Sequence, residues 1–339
     1  MRTTNTRTRL IAWRRAFACV VLAAGACVAR ADPIELMVAG IEKQIYLPAA
    51  LAERLGFFRE QGLDVRISSD RSGVNAEDEL LTGGVQGVVG FYDHAIDLQA
   101  KGKFVESVVQ FSQAPGERVI VAARQAGALR SPADFRSHTV GVTGLGSSTH
   151  LLMRYLAAAH GVKDSEIRVT AVGSGADFAA ALRTGRIDAG MTTEPTASRL
   201  VNAGEARALV DLRTPGEAAA ALGGLYPAAC LYMSTQWVAT HRDEVQRLAN
   251  ALVKALRYID THNAQEIAAQ LPPDYLAGNR ELYVASLEES KSMFLPDGVM
   301  PAEGPANVLR IMRTASRSVG GKPFDLSRTF TTDFTRAAR

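Results

Sequence analysis

Short apolar runs alternate with amphipathic stretches from residue 34 onward. Ile34–Ala39, Leu63–Ile67, Val85–Gly90, Val105–Phe111 and Val119–Ala123 are brief, largely apolar and bounded by turn residues, which predicts five strands. A helix is predicted from about Pro48 to Phe58, with Pro48 in the first turn, where a missing N–H costs nothing. The series then restarts. Val140–Val142, Val169–Val172 and Ile187–Met191 read as strands, and Ser147–Ala159 and Phe178–Thr184 as helices. Beyond about Leu225 the pattern changes to one strand, Ala229–Ser234, followed by long helices over Asp243–Thr261, Asn279–Met293 and Pro305–Val319. Pro272-Pro273, Pro296-Asp297-Gly298 and Gly320-Gly321 separate them. Strand and helix in alternation imply an α/β protein with mainly parallel sheets.

An internal echo makes this a two-lobe reading. Leu80-Leu-Thr-Gly-Gly-Val-Gln-Gly87 lines up with Leu182-Arg-Thr-Gly-Arg-Ile-Asp-Ala189 at an offset of 102 residues (182 − 80). Both read as a helix end, a glycine C-cap and a small-residue strand. The expected division is one lobe from 32–124 and 225–339, the latter supplying the C-terminal helices, and a second from 125–224. Two crossings between lobes make a hinged pair.

Residues 1–31 have a different character. Five arginines precede an apolar run from Ala16 to Ala29, no acid interrupts them, and Ala29-Arg30-Ala31 fits a cleavage site, so this segment reads as a secretory leader. Arg14-Arg15 partly echoes a twin-arginine signal and Leu22–Cys27 a lipoprotein box; plain export to the periplasm fits better. Removing the leader takes six arginines, leaving 38 − 6 = 32 basic against 35 acidic residues, so the net charge moves from +3 to −3. A nucleic-acid partner is thereby disfavoured. Cys230 remains as the one mature cysteine, which excludes an internal disulfide.

The chemistry concentrates in "GVTGLGSSTHLLMRYLAAAHG", Gly141–Gly161. Ser147 is expected to cap the helix, and the first-turn amides with the Ser148 and Thr149 hydroxyls to aim donors into a cleft, an arrangement suited to an anion. At the equivalent turn of the first half, Lys43 offers charge and Gln44 hydrogen bonds. Phe91 and Tyr92 follow the third strand of the first half as a stacking wall. Thr193 and Glu194 follow its counterpart, where the acid suits a ligand amine or a hinge. Ser72, Gln113 and Ser174 sit in other strand-end loops and fit either a ligand hydrogen bond or ordinary turn chemistry. Asp211 and Arg213 read as a local salt-bridged turn.

Enzyme signatures are missing. Gly144–Thr149 fails the dinucleotide fingerprint at its sixth position, and no nucleophile elbow, phosphate-loop lysine or metal-ligand spacing occurs. No catalytic set, metal or cofactor is therefore expected. An exported enzyme using His94 or His150 with Glu194 stays open as an alternative, as does a ligand sensor docking on a membrane receptor.

"YLPAALAERLGFFREQGLDVRI", "GFYDHAIDLQAKGK", "SPADFRSHTVGVTGLGSSTHLLMRYLAAAHGV" and "ALRTGRIDAGMTTEP" occur in that order. Together they resemble the periplasmic solute-binding proteins of sulfonate/nitrate/taurine-type ABC transporters, over essentially the whole mature chain. The resemblance implies a type II periplasmic-binding fold, two α/β lobes closing on a small ligand. It also implies a monomer that delivers that ligand to a permease driven by a cytoplasmic ATPase. On the same ground Ser147, Ser148 and Thr149 hold an anionic head group, and Gln44, Phe91, Tyr92, His94, Thr193 and Glu194 supply the rest. One departure is plain: no arginine is placed to neutralise a sulfonate. A related branch needs a cysteine-rich iron site and lysine-bound pyridoxal phosphate, which a single mature cysteine rules against. N-terminal sequencing of the exported protein is expected to begin at Asp32; a retained leader would contradict the reading of residues 1–31.

Overall fold

In the computed structural model, which describes residues 33–70, 72–276 and 278–338, strand pairing divides the chain between two five-stranded sheets. The leader read over residues 1–31 lies outside the described residues. In chain order the strands are β1 (Ile34–Val38), β2 (Val65–Ser69), β3 (Gly87–Phe91), β4 (Val105–Gln110), β5 (Glu117–Ala122), β6 (Thr139–Val142), β7 (Arg168–Ala171), β8 (Ala189–Thr193), β9 (Ala206–Leu212) and β10 (Ala229–Ser234). The first sheet runs β2-β1-β3-β10-β4 and the second β7-β6-β8-β5-β9. Each sheet with its flanking helices forms one lobe.

The parallel core of each sheet comes from the alternation of strand and helix. β1 pairs parallel with β2 and β3, and β6 parallel with β7 and β8. β3 and β8 are buried at every residue, as strands covered on both faces must be. They stand at the same 102-residue offset as the repeated motif (189 − 87). The reversed strands are the exchanged ones. β5 follows β4 in the chain yet lies antiparallel between β8 and β9, while β10 follows β9 and lies antiparallel between β3 and β4.

This pairing moves a boundary. With β5 in the second sheet, the first crossing lies between Phe111 and Gly116, not near Arg124. Val119, Ile120 and Val121 are fully buried in that sheet, and an apolar strand carries no mark of which sheet it joins. β9, whose apolar run is interrupted by Arg207 and Asp211, and the Pro215–Leu222 helix were not among the elements expected from the apolar pattern. The helix expected over Pro48–Phe58 is divided into Leu47–Arg54 and Phe57–Glu60 by Gly56, whose φ of +76° favours glycine.

Helices complete the lobes. The Arg242–Thr261 helix buries Val245, Leu248, Leu252, Leu256 and Ile259 at three- and four-residue spacing and packs on the Leu47–Arg54 helix. The Gly304–Ala315 helix packs on Asp93–Ala100 from the first lobe and on Ser148–Ala159 from the second. No helix among the described residues is long and apolar enough to cross a membrane. Cys230 is a buried free thiol in β10.

The two crossings run side by side. The amide of Phe111 donates to the Ala229 carbonyl (2.7 Å), that of Ala228 to Ser112 (3.1 Å), and that of Tyr226 to Gln113 (3.2 Å). Gly116 ends the first crossing at φ +63°, its amide bonded to Leu212, and a Cβ there would lie 2.7 Å from Met293 Sδ and 2.8 Å from Ile45 Cδ1. Left-handed backbone and overpacking act together at this position. Gly116→Ala is expected to cost on the order of 3 kcal/mol in urea denaturation; an unchanged midpoint would show that the crossing relaxes freely.

Candidate ligand-binding site

A small cavity of about 20 Å³ lies where the strand ends of the two lobes meet, room for about one water. Lys43, Tyr46, Gly73, Phe91 and His94 line it from the first lobe. Glu117, Thr143, Ser147, Ser148, Thr149 and Thr193 line it from the second. A larger hollow of about 650 Å³ lies among the C-terminal helices near Leu256, Asp260 and Lys291. Its lysine already donates to the carbonyls of Asp260 and His262, and the buried ionisable groups cluster in the smaller cavity instead. Among the described residues no group of acids, histidines and cysteine is arranged to hold a metal.

The turn after β6 is knitted by its own hydroxyls. Ser147 Oγ donates to the Gly144 carbonyl (2.7 Å) and accepts from the Gly144 amide (3.3 Å). The hydroxyls of Thr143, Ser147 and Thr149 lie 2.7–3.1 Å from one another, and the Thr143 amide donates to Thr149 Oγ1. Ser147 therefore stands at the N-cap without capping through its side chain. Gly146, at φ +90°, donates to His150 Nδ1 (2.9 Å), and burial together with Arg154 lowers the His150 pKa. Ser148 behaves differently. Its hydroxyl reaches across the cleft to Asp93 Oδ1 (2.7 Å), whose other oxygen accepts from Tyr226 (2.8 Å). The carboxyl that meets the start of this helix is thus the protein's own. Burial raises the Asp93 pKa, opposed by the charge of His94 and by these two hydrogen bonds.

On the opposite wall His94 Nδ1 lies 2.7 Å from Glu77 Oε2, both side chains buried. Burial pushes the imidazole down, but the hydrogen bond and charge of Glu77, with the fields of Asp93 and Asp97, outweigh it and hold the pKa at about 9. His94 is then an imidazolium donating to Glu77. Its Nε2 lies 2.7 Å from where a side chain on Gly73 would begin, so the close approach requires glycine. Lys43 donates to the Ala39 carbonyl (2.5 Å), and burial lowers its pKa against the pull of Glu42, Glu117 and Asp70. Tyr46 meets Phe91 edge to face at 6.2 Å.

Glu117 opens β5 and is 2% exposed, and its Oε2 has no hydrogen-bond partner among the described residues. Burial and then the neighbouring Asp93 carboxyl push its pKa up to about 8, against the attraction of Lys43. At neutral pH burial therefore favours the protonated acid.

Of the residues expected at the site, Lys43, Phe91, His94, Ser147, Ser148, Thr149 and Thr193 share this lining. Others do not. Gln44 turns its amide to the Tyr283 carbonyl and the Ser286 hydroxyl, while its backbone amide bridges to Glu194. Ser72 accepts from the Asn75 amide and caps the Gly73–Thr82 helix. Tyr92 is no stacking wall: its hydroxyl lies 2.5 Å from Thr329 Oγ1 and its ring edges onto Phe330. Gln113 belongs to the first crossing, its side chain 3.4 Å from the Ser292 carbonyl. Glu194 accepts from the Ser198 amide (2.9 Å) and lies 3.5 and 3.6 Å from Arg118 and Arg213. Ser174 bonds Glu42 across the cleft (3.0 Å), and Arg213 grips Asp211 with two nitrogens, as the local turn implied. Neither His94 nor His150 pairs with Glu194, so the acid–base pair of the enzyme alternative does not assemble. Glu117, Asp93, Tyr46 and Thr143 were missed; a carboxylate opening an otherwise apolar strand, "GERVIVA", was the readable signal for the first.

The sequence pattern of the NMT1-like family matches residues 30–272. This chain belongs to the NMT1-like family. A protein of Bordetella bronchiseptica RB50 of solved structure is 34% identical to this NMT1-like chain, with a TM-score of 0.86 over 90% of this chain and 96% of its own. The periplasmic nitrate-binding protein of Synechocystis PCC 6803 is 16% identical, with a TM-score of 0.71 over 90% and 87%. The alkanesulfonate-binding protein of Xanthomonas axonopodis pv. citri, solved with MOPS, is 20% identical, with a TM-score of 0.64 over 83% and 89%. The two-lobed architecture is accordingly the periplasmic-binding fold. No curated protein matches the chain.

The buried Glu117 gives this NMT1-like protein a pH signature. Its folded pKa of about 8 lies above the usual 4.5, so the unfolded chain ionises first and the native state is penalised progressively as pH rises from 4.5 to about 8. Glu117→Gln removes that penalty. Its stability gain in urea denaturation is expected to be small near pH 4 and on the order of 3 kcal/mol at pH 8; a pH-independent difference would place the carboxyl in water.

Proposed function

We propose that this NMT1-like protein is the periplasmic solute-binding subunit of an ABC importer. It captures one small polar solute between its lobes and presents it to a permease driven by a cytoplasmic ATPase. The observation that carries the reading is the cavity itself, to which both lobes bring buried polar side chains across a double crossing. The nitrate- and alkanesulfonate-binding neighbours support the same role. Mechanism is closure without reaction. Open and closed forms exchange, and a solute touching both walls favours the closed one. Ser148–Asp93 (2.7 Å) and Ser174–Glu42 (3.0 Å) join the two walls across the cleft, and a solute larger than the water-sized space between them enters as those walls part.

The sequence favours an anionic solute at Ser147–Thr149. The cavity's own charges are mixed, with Lys43 and His94 set against Asp93 and Glu117.

A ligand at a hundred times its Kd adds about 2.7 kcal/mol to the folded state, which for a chain of this size raises the melting temperature by about 5 °C. Such a shift, with a smaller radius of gyration in solution scattering, is expected for a bound solute recovered unchanged. Ser148→Ala should change that affinity by less than about threefold, because the solute replaces a hydrogen bond the protein already makes there. Turnover of the solute would favour the exported enzyme, and binding without compaction would count against closure.

A further inference from the structure

Resting on this binding reading, we propose that the cavity takes a small solute bearing a protonated nitrogen, an ammonium or amidinium, which docks on Glu117. Among the buried acids around the cavity, Glu117 alone has an oxygen awaiting a donor. Asp93 accepts from Ser148 and Tyr226, Glu77 from His94, and Glu194 from the Ser198 amide. Glu117 Oε2 is buried without a partner among the described residues, and a cation docking there displaces the proton that burial keeps on this carboxyl, leaving a charged pair. Burying a carboxyl this way is costly unless something pairs with it. Among the described residues no cation does so by hydrogen bond: Lys43 donates to the Ala39 carbonyl and His94 to Glu77.

The position is rigid. Glu117 sits in register with Thr193 on one side and Leu212 on the other, so its backbone is fixed by both neighbouring strands. Tyr46 and Phe91 line the same cavity and add aromatic rings that attract a cation.

An anion finds the reverse. The hydroxyls of Thr143, Ser147 and Thr149 bond one another, and that of Ser148 is directed at Asp93. Among the described residues no arginine lines the cavity. A negative group entering there meets the Asp93 and Glu117 carboxyls, while Lys43 and His94 already donate to the Ala39 carbonyl and to Glu77. The expectation of an anion rested on the first-turn amides with the Ser148 and Thr149 hydroxyls and on the family resemblance; the hydroxyls prove to be engaged within the protein, which weakens it.

The test is calorimetric titration of the mature protein with methylamine, acetamidine and guanidine, and with methanesulfonate, acetate and nitrate as probes of opposite charge. The wild type is expected to bind at least one cationic probe, and Glu117→Gln to lose at least tenfold of that affinity while folding normally. Glu117→Asp, which keeps the charge on a shorter arm, should retain part of it. Binding of an anionic probe with affinity unchanged or improved in Glu117→Gln would overturn the solute class and leave the importer reading standing. Silence toward all six probes would count against both.

Discussion

Each sheet is completed by a strand that arrives from the other half of the chain, and the rest of the molecule follows from that exchange. β5 and β10 are the reversed members of otherwise parallel sheets, and each is the first strand made after a crossing. Because both crossings lie side by side and bond to each other, the lobes are coupled by a two-stranded strap. Such a strap permits bending and resists twisting. It also fixes where the cleft falls, since the ends of β3 and β8 and the start of β5 open onto the same space.

The polar groups in that space are arranged at a cost to the fold. A buried carboxyl without a donor, a lysine whose pKa burial lowers and an imidazolium kept charged by one glutamate are each less comfortable than an apolar replacement. The surrounding core is what tolerates them. Two fully buried central strands and the long apolar face of the Arg242–Thr261 helix supply the compensating burial. Of the three polar groups, the carboxyl of Glu117 has an oxygen without a hydrogen-bond partner among the described residues.

Fold was legible in the sequence to a greater degree than site. Alternating apolar runs located nine of the ten strands to within a few residues, most plainly where burial on both faces leaves a continuous apolar signature, as in β3 and β8. β9, whose Arg207 and Asp211 interrupt a short apolar run, was not read as a strand, although β2 and β7 are no better buried. Pairing was not legible, which is why β5 was assigned to the wrong side of the crossing. At the site, the small-residue turn after β6 announced itself through its glycines and hydroxyls. Where those hydroxyls point depends on neighbours three to six residues away and, for Ser148, on an acid 55 positions earlier in the chain. Tyr92 and Gln44 lie at the strand ends the sequence indicated, yet their side chains turn to Thr329 and Tyr283, partners far away in sequence. Strand-end position can be read from periodicity; side-chain direction is settled by tertiary packing.

The Ser148–Asp93 bond gives the helix start a partner from within the chain. On the proposed reading, a solute that enters there exchanges one hydrogen bond for another instead of adding one, so that contact contributes little net affinity. The same exchange runs backward on departure: the carboxyl returns to the hydroxyl, and neither buried group is left without a partner. Grip is thereby separated from release, and affinity comes from elsewhere in the cavity.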